Sequence, residues 1–207
     1  MGYRYKFDIA GTEYGMENVQ SAKIEAPLFD TLSVGNACSA ELEISFWPIA
    51  DVPKMARIIP YVLLNDAVTW HQLGVFYTDT RATQGSALKI VAYDAMMRGE
   101  IVWEPDQALE FPMSMQQAVA LLATEMDLEL DSRTVINSAY TIDYPTDDQT
   151  VRETLMWIAG ANCGNWIITN EGKLLLVPLF SSAPAETSIL ICEYGVPVTF
   201  GGVRIRV

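Results

Sequence analysis

The chain has 207 residues, of which half are apolar and 19% are charged, with a net charge of -13. A chain of this composition can bury a core, so it is not disordered, and its length allows one large domain or two to three small ones. No apolar run approaches the length of a membrane span, and the N-terminus lacks the apolar region of a signal peptide. The sequence therefore predicts a soluble protein made in a cytoplasm.

The negative charge is concentrated in the middle of the chain. Residues 101–153 hold eleven Asp or Glu and two Arg. Binding of nucleic acid requires Lys and Arg to displace the condensed counterions, so this segment argues against a DNA-gripping surface. We interpret it as a solvated face that keeps the protein soluble, and the alternative is a wall along which DNA slides without sticking.

Residues 1–100 are predicted to form a small β-barrel. Apolar alternation and turn residues mark six strands with a short helical turn after Asp51, enough to close a barrel. These strands are Tyr3–Ile9, Ser21–Ala26, Gly35–Phe46, Ile59–Leu64, Val68–Thr80 and Ala87–Tyr93.

The last two of these strands form a hairpin around the polar turn Thr83–Ser86. Apolar residues alternate on both of its faces, so neither face is expected to be simply solvated. A strand pair covered on both sides belongs inside a barrel or against a neighbouring subunit.

Residues 101–178 are predicted to form a compact unit of two helices and a hairpin. Capping boxes begin the helices at Ser114 and Thr150, and Gly164 is expected to end the second one in a left-handed conformation. The predicted buried stripes are Met115, Ala118, Val119, Leu122 and Met126 on the first helix, and Val151, Leu155, Ile158 and Ala159 on the second. A hairpin follows over 165–177, with its turn at residues 170–172.

Residues 179–207 contain too few strands to stand alone. Ser188–Glu193 and Val203–Val207 read as strands around Gly201 and Gly202. They are expected either to pair with the first barrel or to begin a second one.

Nothing in the sequence amounts to an active site. His71 and a cysteine would make a dyad only if the fold brought them together, and the three scattered cysteines (Cys38, Cys163 and Cys192) lack metal spacing, which favours buried free thiols. Glu41 and Glu43 share one strand face, which polar alternation explains without catalysis. There is no P-loop and no dinucleotide fingerprint.

Two further residue sets invite a binding hypothesis. Asp127, Glu129 and Asp131 hint at calcium, but Ser132 and Ser138 occupy the positions where a calcium loop needs glycine and an acid. Five tryptophans are spread over every element, which favours core or interface anchors over a sugar-stacking platform: Trp47, Trp70, Trp103, Trp157 and Trp166.

Three stretches, in order, resemble the N-terminal module of the baseplate hub, or tail-associated, proteins of tailed phages, prophages and phage-tail-like bacteriocins. The first is GNACSAELEI, within Leu32–Ile44. The second pairs LGVFYTDT of Leu73–Thr80 with VAYDAM of Val91–Met96. The third joins Thr150–Ala159 to Gly164–Leu174.

This resemblance implies an α+β, mainly β protein. The implied parts are a tail-tube-like barrel over 1–100, a small domain of two capped helices and a hairpin over 101–178, and the start of a second, incomplete barrel over 179–207. Three copies would make a ring that matches the hexameric tube. The short third part leaves two alternatives, a fragment of a longer protein or a variant completed by another chain.

The function that the resemblance implies is structural, without catalysis, cofactor or metal. The protein would be a baseplate hub in the virion tail, assembled in the host cytoplasm. Its partners would be further copies of itself, forming a homotrimer, and other tail proteins: the tail tube or distal tail protein, the tape measure, and spike or fibre proteins. DNA would pass without specific binding, and no membrane contact is expected.

Two hypotheses of other classes remain open. A tail-borne cell-wall or polysaccharide hydrolase would lose activity when Glu41 or Cys163 is replaced. A carbohydrate-binding attachment module would bind glycans through Trp70 or Trp103.

Overall fold

A computed structural model describes residues 3–27, 33–47, 52–64, 67–106, 108–144 and 148–179, together with the backbone of 199–200 and 203–204. Within this part of the chain, no helix is long and apolar enough to cross a membrane.

An antiparallel sheet of eight strands dominates the first half of the chain. Its strands are β1 (Tyr3–Ile9), β2 (Thr12–Gly15), β3 (Val19–Glu25), β5 (Glu41–Phe46), β6 (Arg57–Leu64), β7 (His71–Gln72), β8 (Phe76–Gln84) and β9 (Ala87–Asp94). The order is β2-β1-β6-β8-β9-β5-β3, with β7 added beside β6.

The sheet curls until its two ends approach each other. The ring of Phe7 on β1 packs edge-on against Phe46 on β5, with 5.9 Å between the ring centres, although three strands separate β1 from β5 in the sheet. The result is a nearly closed barrel with few helices beside it, so the predicted mainly β fold class is confirmed.

Period-two alternation places the barrel core. On β5, Leu42, Ile44 and Phe46 are almost fully buried, while the residues between them are half-exposed. Their partners on β9 include Ala92 and Ile90, which are fully buried as well. One face of each strand therefore fills the barrel interior.

The predicted strand Gly35–Phe46 is wrong in one respect, because the structure divides it. Asn36–Ala37 forms a separate strand, β4, which pairs in parallel with the second half of the chain, and only Glu41–Phe46 enters the barrel. The side chain of Ala37 is buried in the other core cluster. Ala37 is out of phase with Leu42, Ile44 and Phe46, which is the only trace of the change of sheet in this stretch of sequence.

Three smaller differences concern turns. The chain turns back after β1 through Ala10 and Gly11, both with positive φ, and β2 was not expected. The predicted strand Val68–Thr80 is interrupted at Gly74, whose φ is 156°. The expected helical turn after Asp51 is a plain turn over the described residues 52–56.

The second core cluster contains two helices packed on a small sheet. The helices are α1 (Met115–Glu125) and α2 (Val151–Ala161), beside the short pair β10 (Met113–Ser114) and β11 (Thr141–Ile142). Strands β12 (Gly164–Ile168) and β13 (Leu174–Pro178) form a hairpin that β4 extends. Both predicted stripes pack into this cluster.

Both predicted capping boxes are confirmed. The hydroxyl of Ser114 accepts from the backbone N–H of Gln117, and the Gln117 side chain accepts in return from the N–H of Ser114. Thr150 and Glu153 repeat this arrangement at the start of α2. Each box satisfies backbone donors that a helix leaves unpaired at its first turn.

The end of α2 differs from the prediction by one residue. Cys163 takes the left-handed conformation, with φ 52°, and Gly164 begins β12. A Cβ on Gly164 would lie 2.8 Å from the carbonyl oxygen of Val177. The glycine is therefore needed for close strand approach rather than for the helix end.

The last predicted segment is described only at one short hairpin. Strand β14 (Thr199–Phe200) pairs with β15 (Val203–Arg204), which covers the start of the predicted strand Val203–Val207. The predicted strand Ser188–Glu193 lies outside the described residues. The division of the chain at residues 100 and 178 stays a prediction.

Candidate assembly surfaces

The histidine and the cysteines lie on different elements. His71 is exposed on β7 of the barrel, and Cys163 is exposed at the end of α2. Cys38 is half-buried and lines a cleft between the barrel and the β12–β13 hairpin, whose lining does not include His71. Cys192 lies outside the described residues. No Cys/His dyad is assembled among the residues that the structure describes.

The paired carboxylates Glu41 and Glu43 stand side by side on the outer face of β5. Glu43 forms an ion pair with Lys89 at 3.0 Å. Glu41 bonds the hydroxyl of Tyr93, and burial together with this carboxylate raises the pKa of Tyr93. Two acids on one face of one strand do not flank a substrate from opposite sides, which is what glycoside hydrolysis requires.

The candidate calcium ligands are each paired with a different base. Asp127 meets Arg98 at 3.3 Å, Glu129 meets Lys173 at 2.7 Å, and Asp131 meets Arg133 at 2.8 Å. The guanidinium of Arg133 holds the pKa of Asp131 well below its usual range. Among the described residues, no group of His, Cys, Asp or Glu side chains is arranged to hold a metal ion.

The tryptophans do not share a platform. Trp103 and Trp166 are buried, and the Trp166 indole N–H donates to the carbonyl oxygen of Leu155 at 2.8 Å. Trp70 is half-buried on the barrel, with the Lys6 ammonium 4.8 Å from its ring centre. Trp47 and Trp157 remain 46% and 69% exposed. The five residues therefore divide into core anchors and separate surface positions.

Trp157 belongs to an apolar surface, the α2 patch, defined by Met156 and Trp157 on α2 and by Tyr144 beside it. Tyr144 and Trp157 are about 70% exposed, and Met156 is more than one-third exposed. Shallow grooves adjoin Trp157 on both sides, one of them shared with Tyr144. Clustered large apolar side chains on a surface mark an interaction site more often than scattered ones.

The sequence carried a signal for this patch that the buried stripe concealed. Met156 and Trp157 lie off the stripe of Val151, Leu155 and Ile158, on the side where a solvated helix carries charge. Two large apolar residues in that position indicate a second apolar face of α2, which the described part of the chain leaves exposed.

A hydrogen-bonded junction joins the barrel to the unit formed by α1, α2 and the sheet β13-β12-β4, here called the α2 unit. The Asp94 carboxylate is buried and accepts from the Ser39 hydroxyl and from the backbone N–H groups of Ala40 and Met96, at 2.7–3.0 Å. Burial raises the pKa of Asp94, and these hydrogen bonds oppose the shift. The sequence stretch VAYDAM contained Asp94, but no local pattern assigned it a role.

Arg152 completes the junction from the side of α2. Its guanidinium donates twice to the carbonyl oxygen of Ala37, at 3.0 and 2.8 Å, and pairs with Glu100 at 2.5 Å. The chain segment that links β4 to β5 is thus held at both ends, by Arg152 and by Asp94.

Comparison with known proteins finds likeness in structure alone. No model of a protein family matches the chain, and no curated protein matches it. A 43 kDa tail protein of prophage MuSo2 from Shewanella oneidensis superposes with a TM-score of 0.62 at 10% identity, over 87% of this chain and 57% of that protein. The tail protein from Neisseria meningitidis MC58 superposes with a TM-score of 0.60 at 15% identity, over 85% of this chain and 51% of that protein.

Both solved proteins are tail proteins, and this chain spans a little over half of their length. At such low identity the likeness concerns the fold. The chain therefore has the fold of phage tail proteins.

Proposed function

We propose that the protein is a structural component of a phage tail or a phage-tail-like particle. The observation that carries this proposal is the superposition of more than four-fifths of the chain on two tail proteins. Within the tail, we assign it to the baseplate hub at the distal end of the tail tube, in agreement with the three sequence stretches that resemble hub proteins.

In this role several copies form a ring, a homotrimer, that continues the tube. The α2 patch supports the assignment, because Trp157 and Tyr144 are exposed aromatic anchors of the kind that subunit interfaces bury. On the outer face of the β8–β9 hairpin, Arg98 of the same chain stacks on the ring of Tyr77 at 4.4 Å, so part of this face is covered from within the chain and adds no support for the ring.

The charge of the chain suits a channel for DNA. A net charge of -13 repels the phosphate backbone, so DNA would pass without specific binding. Contacts with the tail tube or distal tail protein, the tape measure and spike or fibre proteins would join the ring to the rest of the tail. Hydrolase and carbohydrate-binding roles draw less support, since Trp103 is buried and Lys6 covers Trp70.

Sedimentation velocity of the purified chain tests the ring. We expect a trimer at micromolar concentration, with each interface burying more than about 1,000 Å². Trp157→Arg places a charge in the α2 patch and should shift the population to monomers. Val135→Arg is the matched control, because Val135 is 75% exposed and lies outside the patch.

A wild-type chain that stays monomeric across this range would count against the ring. If Trp157→Arg and Val135→Arg leave the same oligomer, the ring stands but the α2 patch is not its interface.

A further inference from the structure

Among the described residues, nothing fills a seam between β1 and β3, which face each other across the gap in the barrel sheet. The seam is defined by Tyr3 and Tyr5 on β1 and by Ala22 and Ile24 on β3. Strand β2 pairs with β1 only from Lys6 to Ile9, so the first half of β1 has β6 on one side. On its other side, no described strand is hydrogen-bonded to it, and the same holds for β3 on the side away from β5.

The backbone of Tyr3 and Tyr5 points into the seam. The backbone N–H of Ala10 donates to the carbonyl oxygen of Arg57 at 2.9 Å, so the main-chain hydrogen-bonding groups of Ala10 face β6. Successive residues of a strand alternate in this direction, which turns Ile9, Phe7, Tyr5 and Tyr3 away from β6. Ile9 and Phe7 face β2, whereas Tyr5 and Tyr3 extend beyond its end at Gly15.

The backbone of Ala22 and Ile24 points into the seam from the opposite side. The backbone N–H of Trp47 donates to the carbonyl oxygen of Asn18 at 2.9 Å. Every second residue before it on β5 (Ser45, Glu43 and Glu41) therefore turns its main-chain hydrogen-bonding groups towards β3. Their partners on β3 are Ser21, Lys23 and Glu25. Ala22 and Ile24 therefore lie at the positions that turn their N–H and C=O groups away from β5.

The floor of the seam is apolar. A groove of about 360 Å³ opens between the two strands, and its lining includes Tyr5, Ile24, Leu42, Val62 and Leu73. Tyr3 is 63% exposed at its mouth, and Ala22 is exposed although its partner Ile44 is buried inside the barrel.

The outer flanks of the seam carry basic residues. Lys6 and Lys23 form ion pairs with Glu13 and Glu25, at 2.6 and 2.5 Å. Arg4 has no ion pair with any of the residues that the structure describes. Arg4 is therefore the flank residue that an acidic side chain of a bound segment would meet, whereas Lys6 and Lys23 already have carboxylate partners.

Two backbone edges above an apolar floor fit one extended strand. Strand addition satisfies main-chain groups on the edges and places alternate side chains in the groove. The described strands of a second copy already lie in sheets, so they cannot enter between two strands. We propose that the seam binds an extended segment of a different polypeptide, in which apolar residues alternate with acidic ones. This goes beyond the proposed ring, because it identifies a separate partner site.

NMR spectroscopy of the full chain with a synthetic peptide tests the proposal. The probe is the acetylated and amidated hexapeptide Glu-Val-Glu-Ile-Glu-Val. We expect saturable binding, with slowed hydrogen exchange at the amides of Tyr5, Ala22 and Ile24. A control peptide with N-methyl groups on its three apolar residues loses three donors and should bind at least about tenfold more weakly.

Two protein variants complete the test. Ile24→Lys places a charge inside the seam and should abolish binding, whereas Ser21→Lys adds the same charge on the outer face of the same strand and should leave binding intact. Circular dichroism checks that both variants fold.

Several results would overturn the proposal. These are absence of binding at millimolar peptide, equal binding of the N-methylated peptide, and unchanged binding to Ile24→Lys. Slow exchange of the seam amides without peptide would show that this chain itself, or a second copy if the effect grows with protein concentration, fills the seam. A monomeric protein that binds the peptide would refute the ring and leave the seam standing.

Discussion

The barrel and the α2 unit differ in how the main-chain hydrogen-bonding groups at their edges and helix ends are paired. In the α2 unit both helices begin in capping boxes, and the outer edge of β13 is covered, since Leu174 accepts from Asp131 and Leu176 donates to the Thr134 hydroxyl. In the barrel, the facing edges of β1 and β3 have no partner among the described strands. The difference teaches that, within the described residues, the α2 unit pairs its outer strand edge with its own loop, whereas the barrel has two edges at which a further strand could pair.

The largest expected effect is the loss of a core anchor in the α2 unit. Trp166 is fully buried, so Trp166→Ala should lower the free energy of unfolding by about 3–5 kcal/mol, measured by urea denaturation. Tyr5→Ala, at the half-exposed seam, should cost clearly less. Equal losses would break the comparison, because the seam would then be packed as tightly as the closed core.

Removal of a helix cap should have a moderate effect. Ser114→Ala leaves the N–H of Gln117 without its acceptor and should destabilise the protein by about 0.5–2 kcal/mol. Ser114→Asn is the control, since asparagine supplies a side-chain oxygen at the same position. If the alanine variant unfolds at the same urea concentration as the wild type, the cap does not contribute to closing the α2 unit.

The smallest expected effect is a pH dependence at the junction between the units. Because burial raises the pKa of Asp94, the folded state holds this proton more tightly than the unfolded state does. Its contribution to stability is therefore greatest below the ordinary carboxyl pKa and is lost as pH rises through the raised value.

The difference in unfolding free energy between the wild type and Asp94→Asn should accordingly move in favour of the wild type as pH falls from neutral towards 4 (the region of an ordinary carboxyl pKa). Ser39→Ala is the control: it removes one hydrogen bond but keeps the Asp94 carboxyl group, so its unfolding free energy should change with pH in the same direction as that of the wild type. The nearby charge of Arg152 acts in the opposite direction on the pKa. A pH-independent difference would show that Asp94 titrates as a solvated carboxyl.

Local chemistry made parts of the fold predictable from sequence. Ser114 and Thr150 begin their helices through contacts three residues apart, and the stripe of α1 follows from one helical period. The hairpin turn at Gly172, with φ 84°, is likewise a local signal.

Long-range pairing made the rest unpredictable. Asn36 pairs in parallel with Asn165 across more than a hundred residues, and no local pattern encodes that contact. The fork from Arg152 to Ala37 and the seam at Ile24 depend on how the two halves of the chain meet. Of the assembly surfaces, only the apolar faces of the hairpin and the scattered tryptophans were visible in advance.

The route of the chain through β4 limits how this architecture can be rearranged. Residues 36 and 37 lie in the sheet of the α2 unit before the chain re-enters the barrel at Glu41, so neither unit is a contiguous piece of sequence. A recombination event that exchanged residues 101–178 for another module would leave β4 behind without its sheet. The two parts are therefore expected to be inherited together, and a shuffled descendant would have to replace the short crossover as well.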